Sequence, residues 1–246
     1  MGFLEGKVAA ITGAGSGMGK ACARIFAREG AMVLVSDISG AQEQTAADIG
    51  AQAVATRCDI SDEAQVSAMI DLAVSKFGRL DAMLNVGGIG SGALLESLEA
   101  ADFDKMLNIN LKGMFFGAKH AVRAMKETGG GTITNWSSLA GLIPSVGSGA
   151  YNIAKAGVAM MTRQFAVEAG KYNIRSNAVC PGMILTEGMG RAGYEAQPKR
   201  ATVNPLGRPG AAEDAAELAA FLASDRAAYI NGVLIPLDGG WGCMLA

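Results

Sequence analysis

Apolar residues recur along this chain in two alternating rhythms. Short runs that are apolar at nearly every position read as strands: Val8–Thr12, Met32–Ser36, Ala53–Thr56, Leu80–Val86, Gly131–Trp136, Ile174–Val179 and Val233–Leu237. Between them lie longer stretches with helical spacing. These predict helices over Met18–Glu29, ended by Gly30, over Ala41–Ile49, and over Asp62–Lys76 with Ser61 as its cap. A long tract from Leu98 to Lys126 is interrupted near Asn110 to Gly113, and two more helices cover Gly149–Gly170 and Ala212–Ala223. Strands that are apolar on both sides, alternating with helices, predict an α/β protein: a Rossmann-type doubly wound domain whose seven-stranded, mostly parallel sheet carries helices on both faces. No composition break or internal repeat divides it, so residues 1–246 are expected to form one domain.

Composition narrows the partners. Half the residues are hydrophobic and 18% are charged, with a formal net charge of −2, which gives no electrostatic footprint for nucleic acid or an anionic membrane. No apolar run approaches the ~18 residues of a membrane span. The first residues lead straight into a strand, leaving no room for a signal peptide, so a cytoplasmic location is expected. Cys22, Cys58, Cys180 and Cys243 are widely separated and His120 is the only histidine. No metal site is expected from that set, and the thiols read as reduced, small hydrophobes.

The first strand runs into Thr12-Gly-Ala-Gly-Ser-Gly-Met-Gly19 and then a helix. The motif is G-x-x-x-G-x-G on Gly13, Gly17 and Gly19, neither G-x-G-x-x-G nor a Walker A loop. Glycines there let the chain turn tightly and let a ligand phosphate approach a helix N-terminus, where free N–H groups favour anions. Asp37 closes the second strand, where an acid binds the ribose hydroxyls of a dinucleotide, and Ile38 follows it with no Arg or Lys near in sequence. A ribose 2′-phosphate carries about −1.5 to −2 charges. At about 4 Å and an effective dielectric of about 20, each like-charge pair costs about 4 kcal/mol before screening. Asp37 therefore favours NAD over NADP.

Tyr151 and Lys155 stand four apart on the Gly149–Gly170 helix, so they project from one face. A lysine ammonium beside a phenol favours the phenolate and is expected to pull the tyrosine down from its usual value near ~10, towards general acid–base work. Ser138 precedes a loop that can bring its hydroxyl beside Tyr151. Such a group can handle the oxygen of a carbonyl or an alcohol.

Together the T-G-x-x-x-G-x-G motif, Asp37, Cys58-Asp59-Ile60, Asn110, Ser138, Tyr151-x-x-x-Lys155, Pro181-Gly182 and Leu237-Asp-Gly-Gly240 resemble the short-chain dehydrogenase/reductase family over essentially the whole chain. The resemblance implies a catalytic set of Asn110, Ser138, Tyr151 and Lys155. Tyr151 would exchange the proton, Ser138 orient the substrate oxygen, Lys155 depress the tyrosine and bond the nicotinamide ribose, and Asn110 hold a water linking Lys155 to solvent. For NAD it implies contacts from Gly13, Gly15, Ser16, Gly17, Met18, Gly19, Asp37 and Ile38. Further contacts are implied from Asp59, Ile60, Val86, Gly87, Gly88, Tyr151, Lys155, Pro181, Gly182, Ile184 and Thr186. The family usually has N-N-A-G after the fourth strand, where this chain has Asn85, Val86, Gly87 and Gly88; Val86 lacks the side-chain hydrogen bonds of the second asparagine. Trp136 is bulkier than usual and is expected to fill core.

For substrate the expected wall includes Ser138, Leu139, Ile143, Tyr151, Met183 and Met189, with a lid over residues 187–205. No Arg or Lys stands among those wall residues. The expected reaction is hydride transfer between NAD(H) and an uncharged, moderately bulky secondary alcohol or ketone. The alternatives are a 3-oxoacyl-carrier-protein reductase and a non-catalytic dinucleotide-binding scaffold. The family's usual assembly implies a homotetramer, with Met106, Leu107, Met114, Phe115 and Phe116 as apolar interface material and the Trp241–Ala246 tail buried between subunits. Met160 and Met161 are expected in the core.

Overall fold

The computed structural model describes residues 2–90, 92–187 and 204–244. Its strands are β1 (Val8–Thr12), β2 (Met32–Asp37), β3 (Ala53–Arg57), β4 (Ala82–Asn85), β5 (Gly131–Trp136), β6 (Ile174–Pro181), the two-residue β7 (Ile184–Leu185) and β8 (Gly210–Ala211), and β9 (Leu234–Leu237). The helices are α1 (Gly17–Arg28), α2 (Gln42–Ile49), α3 (Glu63–Phe77), α4 (Ala100–Leu107), α5 (Gly113–Lys126), α6 (Gly149–Ala169) and α7 (Ala212–Ala223). The main sheet has seven strands in the order β3-β2-β1-β4-β5-β6-β9, and every neighbouring pair is parallel.

Both faces of that sheet are covered, which explains the unbroken apolar runs. Ala9 and Ile11 of β1, Val33 and Val35 of β2, and Ala82 and Leu84 of β4 pack with Ile25 and Phe26 of α1 and with the alanines of α7. The residues between them, Ala10, Leu34 and Met83, point the other way and join Val66, Met69 and Ile70 of α3 and Phe116 and Met125 of α5. Successive side chains on a strand alternate between faces, so each strand feeds two cores. The strand order reverses between β1 and β4, and a ligand crevice opens beyond their carboxyl ends at such a point.

Local chemistry shifts some of the expected boundaries. The cap of α3 is Asp62, whose Oδ1 accepts from the Ala64 and Gln65 amides. Ser61 instead donates its hydroxyl to Asp59 Oδ1 at 2.7 Å, which removes it from the cap position. The interruption of the long tract is a π-helical turn over Asn108–Lys112 that joins α4 to α5. Met106, Met114 and Phe116 are buried within the subunit and Leu107 is half-buried, so of the expected interface residues on the helices Phe115 is the exposed one. Met160, expected in the core, is 61% exposed. Cys22, Cys58 and Cys180 are buried free thiols, whereas Cys243 is exposed. No helix among the described residues is long and apolar enough to cross a membrane.

Candidate active site

The glycines of the first turn are there because nothing larger fits. Gly13 has φ +67 and an added Cβ would lie 2.8 Å from Gly87 Cα; a Cβ on Gly19 would overlap the Gly13 carbonyl. The loop from β1 is thus pressed against the chain leaving β4. Thr12 completes the join: its hydroxyl accepts from the amides of Val86 and Gly87 at 3.0 and 3.1 Å. Those two amides are held although Val86 carries no polar side chain. At the start of α1 the Ser16 side chain makes no capping bond, so the first amides of the helix remain available to an anion.

Asp37 stands at the end of β2 and accepts from Gly15 N–H at 3.1 Å and from Ser39 N–H at 2.9 Å. With Ile38, Asp59, Ile60, Gly87 and Ile109 it lines one end of a cleft of about 500 Å³ that also takes in Gly13, Ser16, Gly17, Met18 and Gly19. A second compartment of about 250 Å³ is lined by Gly90, Asn110, Trp136, Ser137, Ser138, Tyr151, Lys155, Pro181, Gly182 and Ile184. The two share Met18, Val86, Gly88, Ile89 and Thr186 and so form one trough. Its two compartments, with uncapped amides and a glycine cradle at one end, fit an elongated dinucleotide. Gly15 lies behind Asp37, outside the residues that line the trough.

Packing fixes the wall of the inner compartment. The π-helical turn aims Asn110 into the interior, where it is fully buried. Its Oδ1 accepts from Ile89 N–H at 3.0 Å and its Nδ2 donates to the Ile89 carbonyl at 2.9 Å. Asn110 thereby clamps the segment that follows β4. Gly88 separates it from the lysine: a Cβ there would stand 2.5 Å from Asn110 Oδ1 and 3.6 Å from Lys155 Nζ. Lys155 donates to the Trp136 carbonyl at 2.8 Å, and Ser137 donates to the Lys155 carbonyl at 2.8 Å. Below them Asn85 donates to Asn135 and Asn135 to Thr162, a buried chain tying β4, β5 and α6 together. Polar residues at the ends of two central strands are satisfied there rather than wasted.

The electrostatics depart from the sequence expectation. Burial raises the Tyr151 phenol above its ordinary value, opposed only in part by a hydrogen bond with Ser138. Lys155 lies 5.5 Å from the centroid of the Tyr151 ring and spends its hydrogen bond on a carbonyl, so it does not lower the phenol. The larger shift is on the lysine, which burial lowers to about 7. Neutral and charged amine are therefore both accessible near neutral pH.

This shift has a stability consequence. A lysine whose folded pKa lies below its unfolded value binds fewer protons when folded, so stability rises with pH between the two values. The burden is fullest below about 7 and is relieved towards the ordinary 10.5. Melting temperatures should accordingly rise between about pH 7 and pH 9 in the wild type relative to Lys155→Met. Parallel curves from scanning calorimetry would show that Lys155 is not buried as a shifted amine.

The substrate wall is only partly as expected. Ser138 and Tyr151 line the inner compartment. Leu139 and Ile143 instead pack towards the C-terminal turn, where a Cβ on Gly242 would lie 2.9 Å from Leu139 Cδ1 and 3.5 Å from Ile143 Cδ1. Met183 offers its carbonyl to Gly210 N–H and lies outside the lining. Met189 and most of the expected lid, residues 188–203, fall outside the described residues. Residues of the tail up to Met244 are half-buried or exposed. Ile109, Ser137 and Trp136 line the trough and carry no sequence signal for that role. Trp136 is 2% exposed, fills core as expected and also forms the floor of the cleft, its indole N–H directed at Met18 sulfur at 3.3 Å. Thr12 opens the T-G-x-x-x-G-x-G motif, but its bonds to the Val86 and Gly87 amides depend on the strand register.

Comparison with known proteins agrees with this geometry. The family model described as enoyl-(acyl carrier protein) reductase matches residues 13–242. Levodione reductase of Leifsonia aquatica is 39% identical, covering 95% of this chain and 93% of its own. A crystal structure of levodione reductase superposes with a TM-score of 0.93 at 38% identity, covering 98% of this chain and 99% of that one. Cis-4-hydroxycyclohexanecarboxylate dehydrogenase of Sinomonas cyclohexanicum is 39% identical over 97% of both chains. The 3-oxoacyl-[acyl-carrier-protein] reductase of Thermotoga maritima is 38% identical, over 96% of this chain and 98% of its own.

Proposed function

Because this chain belongs to the short-chain dehydrogenase/reductase family of oxidoreductases, which use nicotinamide dinucleotides, we propose that it interconverts an uncharged, moderately bulky secondary alcohol and its ketone with NAD(H). The observation that carries this reading is the convergence of Ser138, Tyr151, Lys155 and Asn110 on the inner compartment of one trough. The dinucleotide, when bound, supplies or accepts the hydride. Everything else falls to the chain. The uncapped amides of α1 hold the phosphates, and Asp37 takes the ribose hydroxyls. In the reductive direction Tyr151 Oη gives its proton to the substrate oxygen as charge builds there, and in the oxidative direction it takes the proton back. Ser138 donates to the same oxygen and holds it in place. A phenol raised by burial stays protonated at neutral pH, ready to give a proton. Lys155, shifted to about 7, can resupply it. Val86, Ile89 and Trp136 keep water from the reacting atoms.

The size and polarity of the wall support the substrate class, since among the described residues Lys155 is the one cation lining the inner compartment. Levodione reductase is named for a diketone, whereas the Sinomonas relative is named for a carboxylate. A panel assay at 340 nm should include both kinds. NADH should outperform NADPH by about two orders of magnitude in kcat/KM, with cyclic ketones ahead of carboxylated ones. NADPH preference with carrier-linked oxoacyl substrates would favour the second reading, which the Thermotoga relative recommends and which Asp37 and the net charge of −2 oppose.

Free buried thiols suit a reducing compartment such as the cytoplasm. A homotetramer is the assembly we favour, because Phe115, Ile153, Met160 and Val167 form an exposed apolar band on α5 and α6. Light scattering at the monomer mass of 25.1 kDa would contradict it.

A further inference from the structure

The β2–β3 ladder creates a neighbour for Asp37 that the sequence hides. Asp37 is paired in register with Arg57, the last residue of β3. Partners in a parallel ladder present their side chains to the same face. Arg57 Nε donates to the Ile38 carbonyl at 3.1 Å, and Ile38 lines the outer compartment together with Asp37. The guanidinium is thereby anchored to the rim of the nucleotide cleft by one of its five donors. Its terminal amino groups, Nη1 and Nη2, donate to nothing among the described residues, and no carboxylate there pairs with it. Asp37, in contrast, already accepts from Gly15 and Ser39.

We propose that Arg57 is a second determinant of cofactor choice, a tethered guanidinium whose free amino groups attract a phosphate on the adenosine ribose. This inference rests on the reading of the trough as a dinucleotide site and deepens it. Arg57 offers the forked donors that suit phosphate geometry. Asp37 stands nearer the ribose and repels the same group. Selectivity is the difference between the two, so NADP is disfavoured less than Asp37 alone would dictate. Removing the aspartate charge then turns the site towards NADP in one step, with Arg57 supplying the attraction. Arg57 acts on binding only and has no part in moving the proton or the hydride.

The test is a binding cycle read by calorimetric titration, without turnover. The probes are ADP, which has both phosphates on the 5′-oxygen and a free ribose 2′-hydroxyl, and adenosine 2′,5′-bisphosphate, in which one of the two phosphates stands on the 2′-oxygen. Asp37→Asn keeps an acceptor for Gly15 while removing the charge, and Arg57→Gln keeps a donor for Ile38. In the Asp37→Asn background the 2′,5′-bisphosphate should bind about a hundredfold more tightly than in the wild type. Adding Arg57→Gln should remove about tenfold of that gain and leave ADP within about twofold. The Arg57 contribution should also shrink as salt is raised from about 50 to 500 mM. Equal affinities for the 2′,5′-bisphosphate with and without Arg57, in both backgrounds, would overturn the inference. A wild type that binds the 2′,5′-bisphosphate more tightly than ADP would instead overturn the NAD reading, whichever way the Arg57 comparison came out.

Discussion

A Tyr151→Phe enzyme should turn over about a thousandfold more slowly than the wild type and still bind the dinucleotide within about twofold. The substitution removes one oxygen and nothing else. The ring keeps its place on α6, packed against the small core of Met106, Ala150 and Ala154. Lys155 keeps its bond to the Trp136 carbonyl and Asn110 its clamp on Ile89. What disappears is the proton that must reach the substrate oxygen as hydride arrives at carbon. Ser138 alone leaves that oxygen with a hydrogen bond and no acid. Because the loss belongs to the transition state, kcat and kcat/KM should fall together while KM changes little. Steady-state kinetics and a fluorescence titration of the cofactor, run on the same preparation, separate the two effects. A kcat within about tenfold of wild type would remove Tyr151 from the acid–base role.

Gly19→Ala should weaken dinucleotide binding by at least about a hundredfold, the equivalent of about 2.7 kcal/mol. An added methyl would overlap the Gly13 carbonyl and stand 3.0 Å from the Ala14 amide. Both obstacles are backbone, so neither can swing aside. Gly13 cannot retreat either, because it already lies against Gly87 on its other side. The methyl can be accommodated only by prising the turn away from the first turn of α1, and that moves the amides that meet the phosphates. Calorimetric titration gives the affinity, and a thermal melt of the same variant shows whether the fold survives. Wild-type affinity in a folded Gly19→Ala protein would mean that the phosphates bind elsewhere.

How far the sequence could be read differs from element to element for physical reasons. The main strands and helices were legible because burial on both faces of a parallel sheet leaves uninterrupted apolar runs. β5 and α7 have the predicted ends, since β5 starts after a pair of glycines and α7 is a run rich in alanine. α3 starts one residue later than the sequence predicts. Ser61 and Asp62 are both good caps, and only the position of Asp59 decides between them. The surface assignments for Met106, Met114, Phe116 and Met160 were not legible, because a methionine or phenylalanine on a helix looks the same facing a core or a partner.

The site divides in the same way. Residues grouped along the chain, such as Gly13 to Gly19 or Tyr151 and Lys155, announce themselves by spacing. Groups assembled across the sheet do not. The Thr12 hydroxyl beneath Val86 and Gly87, and Arg57 beside Asp37, depend on strand register. The protonation of Tyr151 is not legible in the sequence for a related reason. Helical spacing placed Lys155 near the ring but could not show that its ammonium is aimed at the Trp136 carbonyl, nor that burial outweighs it. Leu139 and Ile143 follow β5, which along the chain points them to the pocket, while the fold turns them towards Gly242.

The proposed mechanism requires one oxygen atom of the substrate to meet Tyr151 and Ser138 together. A crystal structure of the Tyr151→Phe enzyme would lose the contact in question, so the wild type should be used, with oxidised dinucleotide and a slow or unreactive alcohol analogue. The predicted result places the alcohol oxygen within about 3.2 Å of both Tyr151 Oη and Ser138 Oγ. An ordered alcohol whose oxygen is bound elsewhere in the trough, with both hydroxyls turned away from it, would contradict the mechanism.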